Sequence, residues 1–276
     1  MGIGTTISLE GAEFRYPNAS RSTLRGVDLE IRAGEWVAVL GSNGSGKSTL
    51  MKLFNALLAP TQGLCFVDGL DTRESANAEL IRSKVAMVFQ NPEDQIVAAV
   101  VEEDTAFGPE NLGLSAEDIR ERVKTALTAT GLWERRKRQV SSLSGGQKQR
   151  LALAGALAVR PGCLLLDEAM SMLDPQARRE FTRLIRSERE RGLTIVQVTH
   201  RLDEIIGADR VVILEDGRVG WSGGSDEFLT QSAAKLRAMN FHKPKISVLR
   251  DELAARGLIA PGTEAEIGAL RKALCL

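Results

Sequence analysis

Residues Gly41–Thr49 read GSNGSGKST, set between the apolar runs WVAVL (36–40) and LMKLFNALL (50–58). The stretch fits G-x-x-x-x-G-K-[ST], a loop whose glycines let successive backbone N–H groups turn inward around phosphate oxygens. WVAVL reads as a strand covered on both faces, and a helix is expected from about Lys47, with Leu50, Leu53, Phe54 and Leu57 on one face. A loop leaving a strand and opening a helix places an anion at the positive end of the helix dipole. In this reading Gly41, Ser42, Asn43, Gly44, Ser45, Gly46, Lys47, Ser48 and Thr49 bind a nucleotide. Lys47 sits near the β- and γ-phosphates, and the Ser48 hydroxyl faces Mg²⁺.

Outward from the loop, three more segments read as strands ending in polar residues: KVAMVFQ at Gln90, CLLLDE at Asp167-Glu168, and TIVQVTH at His200. Ligands bind at the carboxyl ends of parallel strands, so the pattern predicts one site fed by four strands. Asp167 is an acidic partner for Mg²⁺, and Glu168 can orient or deprotonate a water attacking the γ-phosphate.

LSGGQ (143–147) is a second glycine-rich helix start. A five-residue match arises by chance in on the order of one chain in a thousand. Ser144, Gly145 and Gly146 leave N–H groups for another anion, and the helix continues through Gln147, Leu151, Ala154 and Leu157. One loop already serves one β-phosphate. The second anion site therefore either faces the same γ-phosphate from the far side or serves another chain's nucleotide.

The rest of the chain frames these motifs. ISLEGAEFRY and VDLEI alternate as half-buried strands, with a turn at Ala33-Gly34-Glu35, and Asp68-Gly69 and Asp216-Gly217 mark hairpins. Residues 91–160 are helix-rich, with a capping box at Ser115 and Asp118. The expected division is 1–234, containing that helical region, and a tail at 235–276. The tail reads as two short amphipathic helices around Pro261, the second with a capping box at Thr263 and Glu266. The 36 Lys and Arg balance 36 Asp and Glu, so no global field steers the chain to nucleic acid. No apolar run approaches the ~20 residues of a membrane-spanning helix. Cys65, Cys163 and Cys275 lie far apart, against a disulfide frame or a zinc site.

With these motifs in this order, and with SMLD at 171–174, the chain resembles ABC-type ATPases over roughly residues 7–230. The resemblance implies an α/β fold: a RecA-like P-loop core, an antiparallel β subdomain and a helical subdomain, here with a small C-terminal helical appendage. It implies a head-to-tail dimer with each ATP between one phosphate loop and the partner's LSGGQ. It further implies that Tyr16 stacks on adenine, Gln90 ligates Mg²⁺ and senses the γ-phosphate, His200 contacts that phosphate, and Asp174 couples the two sites. QNPEDQIVAAVVEEDTAFGPENLGL (90–114) and DEAMSMLDP (167–175) look like ATPase subunits of energy-coupling factor (ECF) transporters, most like the first of the two. ATPases of cobalt and nickel importers share much of this pattern. Met170 stands where those subunits usually carry threonine.

The subgroup implies vitamin or micronutrient import, a second ATPase subunit, a transmembrane coupling subunit and a substrate-binding membrane subunit. It also implies a peripheral place on the cytoplasmic face of the cell membrane, with the tail helping the two ATPases stay together. IVAAVV (96–101) reads either as core of the helical region or as a groove for a cytoplasmic helix of a membrane subunit, on opposite faces. A soluble ATPase acting on ribosomes or DNA fits less well: ribosomal versions pair two such domains in one chain, and DNA versions carry long coiled coils.

Overall fold

The computed structural model describes residues 4–231, 233–239, 241–260, 263 and 267–274. Two sheets share the work. Strands β1 (Ile7–Phe14), β2 (Leu24–Ile31), β4 (Gln62–Val67) and β5 (Leu70–Asp71) form an antiparallel sheet in the order β2-β1-β4-β5. Strands β3 (Trp36–Leu40), β6 (Val85–Val88), β7 (Cys163–Asp167), β8 (Thr194–Val198), β9 (Arg210–Glu215) and β10 (Arg218–Gly224) form the second, ordered β10-β9-β3-β8-β7-β6. Its pairings from β9 to β6 are parallel, and β10 is an antiparallel edge.

The apolar strands follow from burial on two faces. In β3, Trp36, Ala38 and Leu40 face one core with Phe181 and Ile185 of α6 (Pro175–Glu190). Val37 and Val39 face another, with Leu50, Leu53 and Phe54 of α1 (Lys47–Phe54) and the inner face of the antiparallel sheet. The α1 helix is therefore clamped between sheets, with the phosphate loop at its start. It ends earlier than expected: Leu57 lies past the C-cap Asn55 and is exposed. The Gln90 and His200 segments also leave their strands early, at Val88 and Val198, so both residues sit on loops. Both predicted hairpins turn where expected, with Asp68 and Asp216 in the left-handed region.

A third core lies within α3 (Val101–Asn111), α4 (Ala116–Ala129) and α5 (Gly145–Ala158), built on Val101, Val123, Leu127, Leu151 and Ala154. Ser115 caps α4 by accepting from the Asp118 amide at 3.1 Å. The returning half of the box is different: the Ser115 hydroxyl donates to Asp118 Oδ2 at 2.6 Å. Of the apolar run, Val101 joins this core while Val97 is exposed, as are Phe107 and Leu112 farther on.

Helix α2 (Ala78–Lys84) precedes β6, and beyond β10 come the helices α7 (Ser225–Thr230), α8 (Ala233–Ala238), α9 (Lys245–Ala255) and α10 (Ile267–Ala273). Leu236 and Phe241 pack into the first core beside Phe228, so the start of the tail is continuous with the main body. Val248 and Leu249 of α9, and Leu258, are exposed. Glu266 of the second capping box lies outside the described residues, as does Cys275. Cys65 and Cys163 are free and fully buried, and burial pushes the Cys65 thiol up to about 12 and the Cys163 thiol up as well.

Candidate nucleotide site

The loop after β3 can form only because glycine occupies its tight points. A Cβ on Gly41 would stand 2.2 Å from the Leu214 carbonyl oxygen of β9. Gly46, at φ 104°, is the N-cap of α1 and presses on Leu24. Lys47 is buried and curls back into the loop, donating to the carbonyls of Gly41 and Ser42 at 2.9 Å each. Burial pushes its pKa down, and the carboxylates of Glu168 and Asp167 oppose that shift. The Ser45 hydroxyl is buried with no partner among the described residues. Such a cradle, with a captive ammonium and spare donors, fits a polyphosphate.

Asp167 ends β7 almost fully buried. Burial pushes its pKa up, and a hydrogen bond with Ser48 opposes this. Glu168 follows with φ 50°, a left-handed conformation uncommon for glutamate, held by its amide donating to Val198 O at 3.1 Å. That backbone turns the carboxylate toward two neighbours. Gln90 Nε2 donates to Glu168 Oε2 at 3.0 Å, and His200 Nε2 lies 2.9 Å from Oε1. Tyr16 stands on the other side of the loop, its hydroxyl 3.1 Å from Thr49 Oγ1 and its ring edge-on to Phe14. Tyr16 is 39% exposed beside a cleft of about 550 Å³ that also meets Asn18 and Thr61.

The structure thus gathers the phosphate loop, Tyr16, Gln90, Asp167, Glu168 and His200 around one end of the parallel sheet. Among the described residues no hydrogen bond or ion pair joins Ser144–Gln147 to that loop. The signature opens α5 instead. The Ser144 hydroxyl accepts from the Gln147 amide at 3.4 Å, and Gln147 Oε1 accepts from the Ser144 amide at 3.0 Å. The Gln147 side chain closes this cap, and the helix start presents the small residues Gly145 and Gly146. Asp174 caps α6, its Oδ1 accepting from the amides of Gln176 and Ala177 at 2.8 Å each. Met170 is buried, and its sulfur accepts from Thr182 Oγ1 at 3.5 Å.

Two glutamine contacts with the backbone escaped the motif reading. Gln149 Nε2 donates to Phe89 O at 3.1 Å, and Gln95 Oε1 accepts from Phe89 N at 3.3 Å. The visible signal was a polar residue at 149 on the apolar stripe of α5, spaced with Ala152, Leu153 and Ala156.

A strand-loop-helix phosphate cradle, an Asp-Glu strand end and a glycine-rich second helix start on one α/β frame define an ABC-type ATPase. Residues 24–171 match the family model described as ABC transporter, and the chain belongs to that family. Within it the chain is of the energy-coupling factor type. It is 53% identical to the energy-coupling factor transporter ATP-binding protein EcfA1 of Symbiobacterium thermophilum, over 98% of this chain and 96% of that protein. The solved structure of cbiO1 from Clostridium perfringens, part of the ABC transporter complex cbiONQ, superposes with TM-score 0.75 at 33% identity, covering 89% of this chain and 98% of cbiO1. The dimeric post-hydrolysis state of the cassette MJ0796 bound to ADP and Pi gives TM-score 0.73 at 29% identity, over 79% and 98%.

Proposed function

We propose that this chain is the ATP-hydrolysing subunit of an ECF-type importer for vitamins or other micronutrients, paired with a second ATPase subunit and docked on the cytoplasmic side of a transmembrane coupling subunit. The observation that carries the reading is Glu168, turned by its left-handed backbone between Gln90 and His200 beside the phosphate loop. Such a carboxylate can hold and deprotonate a water in line with a γ-phosphate.

The chain's own residues divide the task. Lys47 and the loop amides hold the β- and γ-phosphates, and Tyr16 offers a ring face to adenine. Ser48, Asp167 and Gln90 offer hard oxygen donors of the kind that suit Mg²⁺. The bound ion would neutralise charge on the β- and γ-phosphates. His200 positions Glu168 and faces the γ-phosphate. Ser144, Gly145 and Gly146, with Gln147 holding their cap, close over the nucleotide of the partner ATPase, and Asp174 fixes the loop between the two sites. The exposed apolar side chains of Val97, Phe107 and Leu112 receive a cytoplasmic helix of the coupling subunit, and the exposed Val248 and Leu249 of the tail pack against the second ATPase. Residues 1–234 act as the ATPase unit, with 91–160 as its moving helical part, and 235–276 as the pairing element. No nucleic acid is involved.

Among the described residues no helix is long and apolar enough to cross a membrane. The test is purification of the tagged chain from membranes, with every bound subunit identified and ATP turnover measured. Expected are a second ATPase, a membrane coupling subunit and a substrate-binding membrane protein, with turnover far higher in the complex than in the isolated chain. Brisk turnover by the isolated chain with no membrane subunit bound would overturn the reading. Recovery of a dedicated metal-binding membrane subunit would move the assignment to a cobalt or nickel importer.

A further inference from the structure

The helical part carries a cluster of cations that the nucleotide site does not use. Residues 133–138 read WERRKR, and Lys124 of α4 reaches the same tryptophan. The Arg136 guanidinium lies 4.3 Å from the centre of the Trp133 ring, and Lys124 Nζ lies 5.9 Å from it. Trp133 packs against the third core, so these two cations rest on a fixed platform. The backbone there is a run of tight turns. The amides of Arg135, Arg136 and Arg138 donate to the carbonyls of Leu132, Trp133 and Arg135. The carbonyls of Arg136 and Arg138 accept in turn from the first amides of α3, Glu102 N at 2.9 Å and Val101 N at 3.2 Å. The turn is thereby fastened to the helical part, while the side chains of Lys137 and Arg138 are exposed.

Among the described residues no ion pair involves Lys124, Arg135, Arg136, Lys137 or Arg138. The carboxylates around them are Glu134 of the turn and Glu102 and Glu103 at the start of α3. Glu121, one turn back on α4, is taken by Arg160. Positive charge is therefore in excess here, although the whole chain balances 36 cations with 36 carboxylates. Successive residues of a 3₁₀-like turn rotate by about 120°, so their side chains diverge instead of converging on one acidic peptide. Diverging cations suit a surface of many mobile anions, where each finds its own counter-charge. Their place suits it too. Val140 N donates to Ala99 O at 2.8 Å and Gln139 bridges to Val100, so the turn adjoins the exposed Val97. Val97 lies on the face assigned above to the membrane coupling subunit, which brings the cations to the same side.

We infer that residues 133–138, with Lys124, form an electrostatic docking surface for the anionic phospholipid headgroups of a membrane. The surface holds the helical part against the bilayer beside the coupling subunit, as a contact separate from the apolar one. Its orientation rests on the importer reading above; the lipid contact itself does not. Such a contact grows with each cation and is screened by salt, because the Debye length shrinks from about 10 Å at 0.1 M to about 3 Å at 1 M.

The test floats the full-length chain with vesicles of phosphatidylcholine alone and of phosphatidylcholine mixed with phosphatidylglycerol. In low salt the wild type should bind the anionic vesicles at least about fiftyfold more tightly, and it should lose that preference in about 1 M salt. Lys137→Gln combined with Arg138→Gln should weaken binding to the anionic vesicles about twenty-five-fold, or about fivefold per cation. Arg179→Gln combined with Arg183→Gln removes the same charge from exposed positions on α6 and should leave binding within about twofold. Equal binding to the two vesicle types, or an equal loss in the two double variants, would overturn the inference. So would a wild type that floats with neither. If Lys137→Gln with Arg138→Gln then copurified with less of the membrane subunits, the turn would belong to an acidic protein segment instead. A wild-type complex that holds no membrane subunit would sink the importer reading and leave the vesicle result to judge the lipid contact.

Discussion

His200 Nε2 lies 2.9 Å from Glu168 Oε1, and the other carboxylate oxygen accepts from Gln90. Both oxygens of the candidate base are thus held by residues that follow two other strands. Glu168→Gln keeps the shape and removes the base. It should leave ATP affinity within about threefold and slow hydrolysis by at least about a hundredfold, the usual cost of losing a general base. Equilibrium binding and phosphate release in the assembled transporter measure the two effects. Near-normal turnover would remove Glu168 from its role.

Ser144→Arg tests the shared site. The serine hydroxyl caps α5, and the neighbouring glycines keep the helix start open. An arginine removes the cap, costing about 1 kcal/mol, and fills the anion position with its own cation. ATP binding to the variant's own phosphate loop should persist, while dimer closure and turnover fall to background. Unchanged turnover in a dimer in which every signature carries the change would show that the signature does not complete the site.

Gly41→Ala tests the cradle. The added Cβ would meet the Leu214 carbonyl at 2.2 Å, and a backbone atom cannot swing aside as a side chain can. The loop must shift away from β9, taking the Gly41 carbonyl from Lys47. A stability loss of about 1–3 kcal/mol is expected, with ATP affinity reduced at least about tenfold. Thermal unfolding without nucleotide and titration with ATP read the two effects separately. An unaltered midpoint with unaltered affinity would mean that the contact is not felt.

Much of this site was legible because its parts are local patterns. The phosphate loop, LSGGQ and the CLLLDE strand each concentrate glycines or carboxylates within a few residues, at the boundary between one periodicity and the next. The end of α1 was not legible, because Leu57 continues the helical spacing while the chain has already turned at Asn55. Nor was the strand order, in which β9 and β8 flank β3 from far along the chain. Glu168 was found by its neighbours, but its left-handed φ depends on Val198 O across the sheet. The Gln149–Phe89 bond spans 60 residues, and no local spacing records it.

The last prediction concerns stability and pH, at a place remote from the nucleotide. Asp68, in the left-handed turn between β4 and β5, accepts from Thr6 N at 2.8 Å and from Lys84 Nζ at 2.7 Å. Burial pushes its pKa up, but the bonds from Lys84 and Thr6 outweigh that, and the carboxyl sits below its ordinary 3.8. The unfolded chain therefore binds this proton more tightly than the folded one, and stability rises with pH between the two values. The contribution is complete above the ordinary value and is lost as pH falls through the folded one. Asp68→Asn keeps the turn conformation and the bond from Thr6 while removing the charge that faces Lys84. The variant should be less stable by about 0.5–1 kcal/mol at neutral pH, since the pair is partly exposed. In urea unfolding repeated at falling pH, that gap should close once Asp68 is protonated in the folded wild type. A gap of equal size at neutral and acid pH would mean that the ion pair with Lys84 contributes nothing.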